Sequence, residues 1–422
     1  MRLSAKLLQL YRHLLTSYWL IPAAFLLASM CLAMITIGVD QHFDTGLSLG
    51  GFDLRPVEVD TARVLLSMIA GSIIGVAGVV FSITMVAVSF ASGTFGPRLI
   101  GNLMRDRGSQ VSLGFFIGTF IYSLIVLRFV RGNDHQVSES MPGLAFIPHL
   151  SIATSIGLAV CCMGVLIYFI HHVPETINIE RIIANLGRAL KAGIESRFPE
   201  QSGTGAVLRT ETERWTDNAD QDDAQELVLD TNGYIQALDV GTLVELAKKH
   251  NMHIEILRRP GAFVASGRPV LSIWSDGPLN ENVSSALKMC FATGISPTVN
   301  QNIEFIADQL VEIIARALSP GVNDPFTAIT CVNWLQVGIL HFAAHENLND
   351  SFNQSDRVYS KPFLFKDFVT AVFTKAMPYI VTDQNVTKHT HKVLRSIADK
   401  LPVGGNREVI EQTIDTLKTS SS

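Results

Sequence analysis

The chain has 422 residues, of which 48% are apolar and only 17% charged, with a formal net charge of −5. That length exceeds what one domain usually holds and can bury a sizeable core without disulfides or metals. A charged share well below the roughly 25% of an ordinary soluble domain points to lipid, and the mild negative charge argues against a nucleic-acid partner, which would want a basic face.

The charge deficit is concentrated in the first 170 residues. Four stretches there lack Asp, Glu, Lys and Arg: Trp19–Val39, Val64–Phe90, Gly108–Leu127 and Leu150–Ile170. A bilayer crossing takes roughly 20 apolar residues at about 1.5 Å each, so residues 1–172 are expected to form a transmembrane domain with spans near 19–39, 64–90, 108–127 and 150–170. The first run starts late, is long and has no Ala-x-Ala pattern, so it reads as a span and not as a cleaved signal.

Lys and Arg stay on the cytoplasmic side of a membrane. Arg2, Lys6 and Arg12 precede the first run, Asp40, Asp44, Asp53, Glu58 and Asp60 follow it, Arg98, Arg105 and Arg107 surround Asp106 after the second, and Arg181, Arg188 and Lys191 follow the fourth. The expected topology is multi-pass with both termini cytoplasmic.

The second charge-free run continues from Val64 through Pro97, too long for one straight helix inside an approximately 30 Å hydrocarbon core. It must tilt, break or project, and Ser92–Arg98, with Gly93, Gly96 and Pro97, is the place where helix is most disfavoured. Gly71, Gly75 and Gly78 in this run, and Gly114 and Gly118 in the third, have the spacing that lets membrane helices approach closely. Packing within one subunit and a subunit interface both satisfy that pattern. Ser67, Ser72, Ser82, Thr84, Ser89 and Ser92 would suit a pore lining, or packing alone.

Beyond Ile170 the chain reads as a cytoplasmic α+β domain. Residues 173–225 give a connecting helix, on the spacing of Ile179, Ile182, Ile183, Leu186 and Leu190, and a polar loop over 200–225. Residues 226–277 form a small β-rich module. Asn232-Gly233 signals a hairpin in "ELVLDTNGYIQAL", a short helix passes through Leu243, Leu246 and Lys249, and "HIEILRRPGAFVASGRPVLSIW" resembles the hairpin of barrel-sandwich carriers of biotinyl and lipoyl groups. It has no lysine at its tip, so a β-barrel-like shape without the prosthetic group is expected. The remaining residues, 278–422, read as helical, over Pro278–Gly294, Asn302–Leu318, Pro325–Ala343, Lys366–Ile380, Gln384–Lys400 and Arg407–Lys418.

Candidate chemistry is sparse. Glu304, Asp308, Glu312 and Arg316 form a row at intervals of four, which suits acid-base chemistry but equally a solvated face with a Glu312–Arg316 pair of about 0.2–0.5 kcal/mol. In "RALSPGVNDPFTA", Pro320-Gly321 suits the centre of a type II turn, Asp324 a helix N-cap and Pro325 the first helical position. This is either a helical-hairpin turn or a polar concavity in which Asn323, Asp324 and helix amides meet an anion. His389 and His391 fall on different helix faces, and His171 and His172 sit at a span end, so no metal is expected. The five cysteines, Cys31, Cys161, Cys162, Cys290 and Cys331, lack metal-ligand spacing and read as buried thiols. No phosphate loop, nucleophile elbow or His-Glu-x-x-His motif is present; neither a cofactor nor an enzymatic activity is expected.

"RALSPGVNDPFTA", "FATGISPTVNQNIEFIADQLVEIIA" and "FGPRLIGNLMRDRGSQVSLGFFIGTFIY" resemble a family of predicted bacterial inner-membrane proteins labelled as a domain of unknown function. The resemblance covers nearly the whole chain and implies membrane spans followed by a cytoplasmic domain, with no established activity. The family pattern has Arg where this chain has Pro297, and Gln-Asp where it has Gln301-Asn302. A family pocket built from those charges and Asp324 would be altered or lost here, and the ligand-binding set expected on this chain is Arg316, Asn323 and Asp324 with Thr298 and Gln301.

Two functions fit. In one, a homo-oligomer forms a channel-like pore from the second span, with Gly71, Gly75, Gly78, Ser82 and Ser89 lining it or packing there. A cytoplasmic domain senses an ion, a small anionic ligand or tension. In the other, the spans anchor a binding or scaffolding module. The spans contain no ionisable Asp, Glu, Lys or Arg, which argues against a proton-coupled transporter.

Overall fold

The computed structural model describes residues 19–42, 58–96, 106–131, 146–198, 224–346, 352 and 355–421. Arg2, Lys6, Arg12, Asp44, Asp53, Arg98 and Arg105, used in the sidedness argument, and all but the last residues of the polar loop at 200–225, lie outside them. The described residues fall into two compact units, one holding those from 19 to 93 and from 106 to 178, the other holding 94–96 and those from 179 to 421.

The first unit holds four long apolar helices: α1 (Leu20–His42), α2 (Val59–Phe95), α3 (Arg107–Phe129) and α4 (His149–Thr176). α2 runs 37 residues without a break, about 55 Å at 1.5 Å per residue. It ends within the expected stretch, at Gly96, whose φ of +122° suits only glycine.

α1 and α3 pack closely because Gly114 and Gly118 present bare backbone to Phe25, Pro22 and Ser29. Tyr122 of α3 is fully buried; its hydroxyl lies 2.9 Å from Thr36 Oγ1 and donates to the Ser151 carbonyl of α4 at 3.2 Å. At the next residue of α3, one turn further along α4, Ser123 Oγ and Ser155 Oγ are 2.8 Å apart. Where helix interiors meet in an apolar medium, such pairs replace the hydration that their hydroxyls lack. Asp40, near the end of α1, accepts from the Leu150 and Ser151 amides and from Ser151 Oγ, capping α4 from another helix.

The expectation of five buried thiols holds for Cys162, Cys290 and Cys331; Cys31 and Cys161 are exposed. The two exceptions point outward from α1 and α4, where apolar composition reflects the surroundings of the helix and not a protein core.

The second unit mixes helices and sheets. It begins with α5 (Ile179–Arg197), which buries Ile183, Leu186, Leu190 and Ile194 at helical spacing. The strands are β1 (Gln225–Val228), β2 (Gly233–Leu238), β3 (His253–Ile256), β4 (Phe263–Val264), β5 (Pro269–Trp274), β6 (Phe291–Gly294) and β7 (Val358–Ser360). Their orders are β1-β5-β3-β7 and β4-β2-β6. Leu227, Ile235, Ile254, Leu271, Ile273 and Phe291 share one apolar core. Two helices belong to this part, α6 (Val240–Lys249), as expected, and α7 (Glu281–Lys288).

The hairpin expected at Asn232-Gly233 does not form. β1 pairs with β5, whereas both edges of β2 are taken by β4 and β6. The Asn232 side chain accepts from the Ser266 amide at 2.7 Å, bridging to the β4–β5 connection. Asn-Gly specifies a reversal; which strands then pair depends on the core they share. The helix expected over Pro278–Gly294 is likewise corrected, since it stops at Lys288 and Phe291–Gly294 becomes β6, four residues being too few to display a period. β7, also inside the region read as wholly helical, pairs parallel to β3.

Five helices complete the unit: α8 (Ile303–Ala317), α9 (Pro325–His345), α10 (Phe365–Ile380), α11 (Gln384–Lys400) and α12 (Gly405–Ser421). α5 and α9 run parallel, with Gly187 against the Trp334 ring and Gly338 against Leu190, and His341 Nε2 3.2 Å from Glu195. By length and composition five described helices could cross a membrane, α1 to α4 and α9. α9 carries polar groups bonded to α11, Asn333 to His389 at 2.7 Å and Gln336 to Ser396 at 3.4 Å.

Candidate functional site

The Ser-Pro-Gly-Val-Asn-Asp-Pro string joins α8 to α9. Ser319 O accepts from the Val322 and Asn323 amides, and Ala317 O accepts from the Asp324 amide at 2.7 Å. The left-handed residue is Asn323, at φ +49°, not Gly321, so the turn over Pro320-Gly321, closed by the Val322–Ser319 bond, is not the expected type II and the positive φ falls two residues later. Asn tolerates that conformation better than most residues. Asp324 caps α9, accepting from the Thr327 amide at 3.2 Å and from Thr327 Oγ1 at 2.6 Å, worth about 1 kcal/mol.

These bonds bear on the anion alternative. Pro325 has no N–H, the Thr327 amide is given to Asp324, and the Asp324 carboxylate occupies the place an anion would take at the helix terminus.

Arg316, Asn323 and Asp324 lie at the C-terminal end of α8, with Arg316 Nε 3.7 Å from Glu312. Thr298 and Gln301 lie before its N-terminus. The fifteen-residue α8, about 22 Å long, stands between Thr298 and Gln301 at one end and Asn323 and Asp324 at the other, with Arg316 in its last turn, so the five expected ligand residues do not converge on one pocket. Thr298 Oγ1 donates to Gln236 O, and the Gln301 amide both accepts from Leu238 N and donates to Leu238 O. Gln301 thus extends the β2 edge, at φ +55°. Asn302 caps α8 by accepting from Phe305 N at 3.0 Å.

The charged row on α8 is less solvated than expected. Asp308 pairs with Lys375 of α10 at 2.7 Å. Glu304 is half-buried, and burial pushes its carboxyl above the ordinary value, outweighing Lys375, Arg197 and Arg259, while Asp308 adds to the rise.

On α2, Ala62, Leu66, Ile73, Ala77, Val80 and Thr84 are buried, and Thr84 Oγ1 bonds its own helix at Val80 O. Thr84 therefore belongs to the packed face and not to a path lining. Gly71, Gly75, Gly78, Ser82 and Ser89, with Ser67, are exposed and fall within about 80° of arc on the other side. A side chain placed at any of the three glycines would meet no atom within 4 Å.

Sequence reasoning missed two arrangements. His172 Nε2 lies 2.9 Å from Asp106, which also caps α3 by accepting from Ser109 N at 2.8 Å. The cap was legible in an Asp placed before an apolar run; a partner 66 residues away leaves no local signal. Arg197, largely buried, stands over the rings of Phe363, Phe352 and Phe198 at 4.8, 5.4 and 5.8 Å, a cation–π cluster assembled from two distant segments. A groove of about 410 Å³ between α10 and α12 is lined by Phe373, Met377, Pro378, Val409, Thr413 and Lys366 among others.

The chain matches the model of a family described as "Predicted membrane protein (DUF2254)" over residues 15–396. It is 31% identical over 279 residues to an uncharacterized protein of Mycobacterium bovis and, equally, to one of Mycobacterium tuberculosis, the matched part being 65% of this chain and 51% of each relative. The chain spans about half the length of the curated relatives it matches. No solved structure matches.

Proposed function

The chain belongs to this family of predicted membrane proteins, and from that premise we propose a four-span protein of the bacterial inner membrane that assembles through α2 into a channel-like homo-oligomer. Both termini and the second unit, with its two small sheets read as a barrel-like module, are cytoplasmic in this reading. The cytoplasmic part senses an ion, a small anionic ligand or tension, and no catalysis is assigned. α9 stays out of the membrane because its polar side chains are engaged by α5 and α11.

The observation that carries this reading is the outward face of α2. Lipid favours large apolar side chains at a helix surface, and α2 has them elsewhere, in Val79, Val86 and Phe90. A stripe of Gly and Ser from Ser67 to Ser82, resuming at Ser89 beyond Met85, instead suits another helix at close range or a polar path.

Single-channel recording of the full-length protein in planar bilayers, with Gly75→Leu as the comparison, tests it. Conductance abolished or altered by the substitution supports the channel. Silence from folded, inserted protein across voltage, tension and salt would transfer the reading to a membrane-anchored binding module, which the groove between α10 and α12 favours.

A further inference from the structure

Val322 and Phe326, flanking the Asn323-Asp324 reversal, are 48% and 77% exposed. Pro320 and Gly321 beside them are exposed too. The tip of the α8–α9 turn thus presents Val322 and Phe326 beside an exposed Asn323, while its backbone amides and the Asp324 carboxylate are turned inward onto Ser319, Ala317 and Thr327. Two exposed apolar side chains alone would need no explanation; their location in the fold supplies one.

The parallel register of α5 and α9 fixes that location. Trp334 lies against Gly187, Leu190 against Gly338 and His341 beside Glu195, and stepping back along both helices brings Phe326 level with the first residue of α5. α8 agrees, since Ile303 and Ile306 at its start meet Gly193 near the end of α5 and the short turn from its end into α9 brings its last turn back toward the α5 N-terminus. Ile179 follows Thr176, the last residue of α4, by only three positions. Whatever the arrangement of the two units, the covalent chain holds the α5 N-terminus within about 10 Å of the end of α4.

We propose that the Val322–Phe326 tip is a lipid-docking surface, inserting its apolar side chains among the headgroups and upper acyl chains of the bilayer next to the end of α4. The inference rests on reading α4 as a span. Two prolines stiffen the tip, and Asp324 locks Phe326 onto the first turn of α9, so that insertion orders little further chain. The motif then acts as a foot by which the second unit rests on the membrane.

The test uses three single-tryptophan additions to the full-length protein in phosphatidylcholine vesicles, with and without bromine on the upper acyl chain. Each is read as the difference from the unsubstituted protein. Ile167→Trp, on the exposed face of α4, reports whether α4 is in lipid. Phe326→Trp reports the tip. Val403→Trp, 91% exposed, reports the far end of the same unit, because Asn406 near it bonds Glu346 at the C-terminal end of α9. Loss of the added emission in brominated vesicles at positions 167 and 326, with none at 403, is the expected result. Emission at 326 that is blue-shifted yet unquenched would mean that protein covers the tip, and red, unquenched emission that water does; either overturns the proposal while leaving the span intact. Quenching at 403 as well as 326 overturns it as a specific foot. An unquenched residue at 167 overturns both the span and the docking.

Discussion

α2 and α3 carry glycines at the same spacing and use them in opposite ways. Gly114 and Gly118 of α3 are pressed against α1, where an added Cβ at Gly114 would lie 2.9 Å from the Phe25 ring and 3.2 Å from Pro22 Cα. Gly71, Gly75 and Gly78 of α2 face open space. Around α3 the hydroxyls are also tied between helices, Tyr122 to Thr36 and Ser151, and Ser123 to Ser155. On α2, Ser67 Oγ donates to the Val64 carbonyl of its own helix. The comparison teaches that glycine spacing marks a surface capable of close approach, and that what approaches is settled by the rest of the molecule.

Gly114→Leu should have the largest effect. Overpacking costs about 1–3 kcal/mol, read as a lower thermal midpoint of the protein in detergent. Wild-type stability in this variant would place the α1–α3 contact elsewhere. Next, Asp106→Ala removes the α3 cap together with the His172 partner, with an expected loss of about 1 kcal/mol; Asp106→Asn should recover most of it, because Asn also caps.

Tyr122→Phe removes one interhelical hydroxyl, for which membrane proteins show a mean cost of roughly 0.6 kcal/mol. On the other helix, Gly75→Leu should leave the midpoint within about 0.5 kcal/mol of wild type while changing the oligomer mass measured by light scattering. A large loss of stability with unchanged mass would erase the contrast between the helices.

The smallest effect extends the contrast to α8, where a polar stripe is half covered. Burial raises the Glu304 carboxyl above its ordinary 4.5, and the nearby cations offset part of that. Below that value the group is protonated both folded and unfolded and costs nothing. Above it the folded state carries the penalty of the charge. Glu304→Gln should therefore leave acid stability unchanged and raise stability slightly at neutral pH, as denaturant midpoints at the two pH values would show.

Much of the fold was legible. Apolar runs located α1 to α4, and 3.6-residue periodicity located α5, α8, α9, α10, α11 and α12. What escaped was short or distant. β6 and β7 have four and three residues, too few for a period, and the Asn232-Gly233 reversal joins strands that belong to different sheets. In the candidate sites the caps were readable, Asp324 and Asp106 each standing just before a helix. The separation of Thr298 and Gln301 from Asp324 follows from the length of α8, and the Asp106–His172 pair from how α3 and α4 come together.

The sequence by itself determined which segments are apolar enough for lipid, where most helices begin and end, and that Ser319–Pro325 must reverse the chain. These are local properties, set by side-chain transfer energies and backbone preferences over a few residues. The tertiary structure decided which glycine pair is filled and which is open, that the turn spends its backbone amides and Asp324 on itself and leaves Val322 and Phe326 outside, and that this tip stands level with the start of α5. Each of those depends on which distant segment arrives at a surface, and that choice is made by the fit of whole helices and sheets to one another.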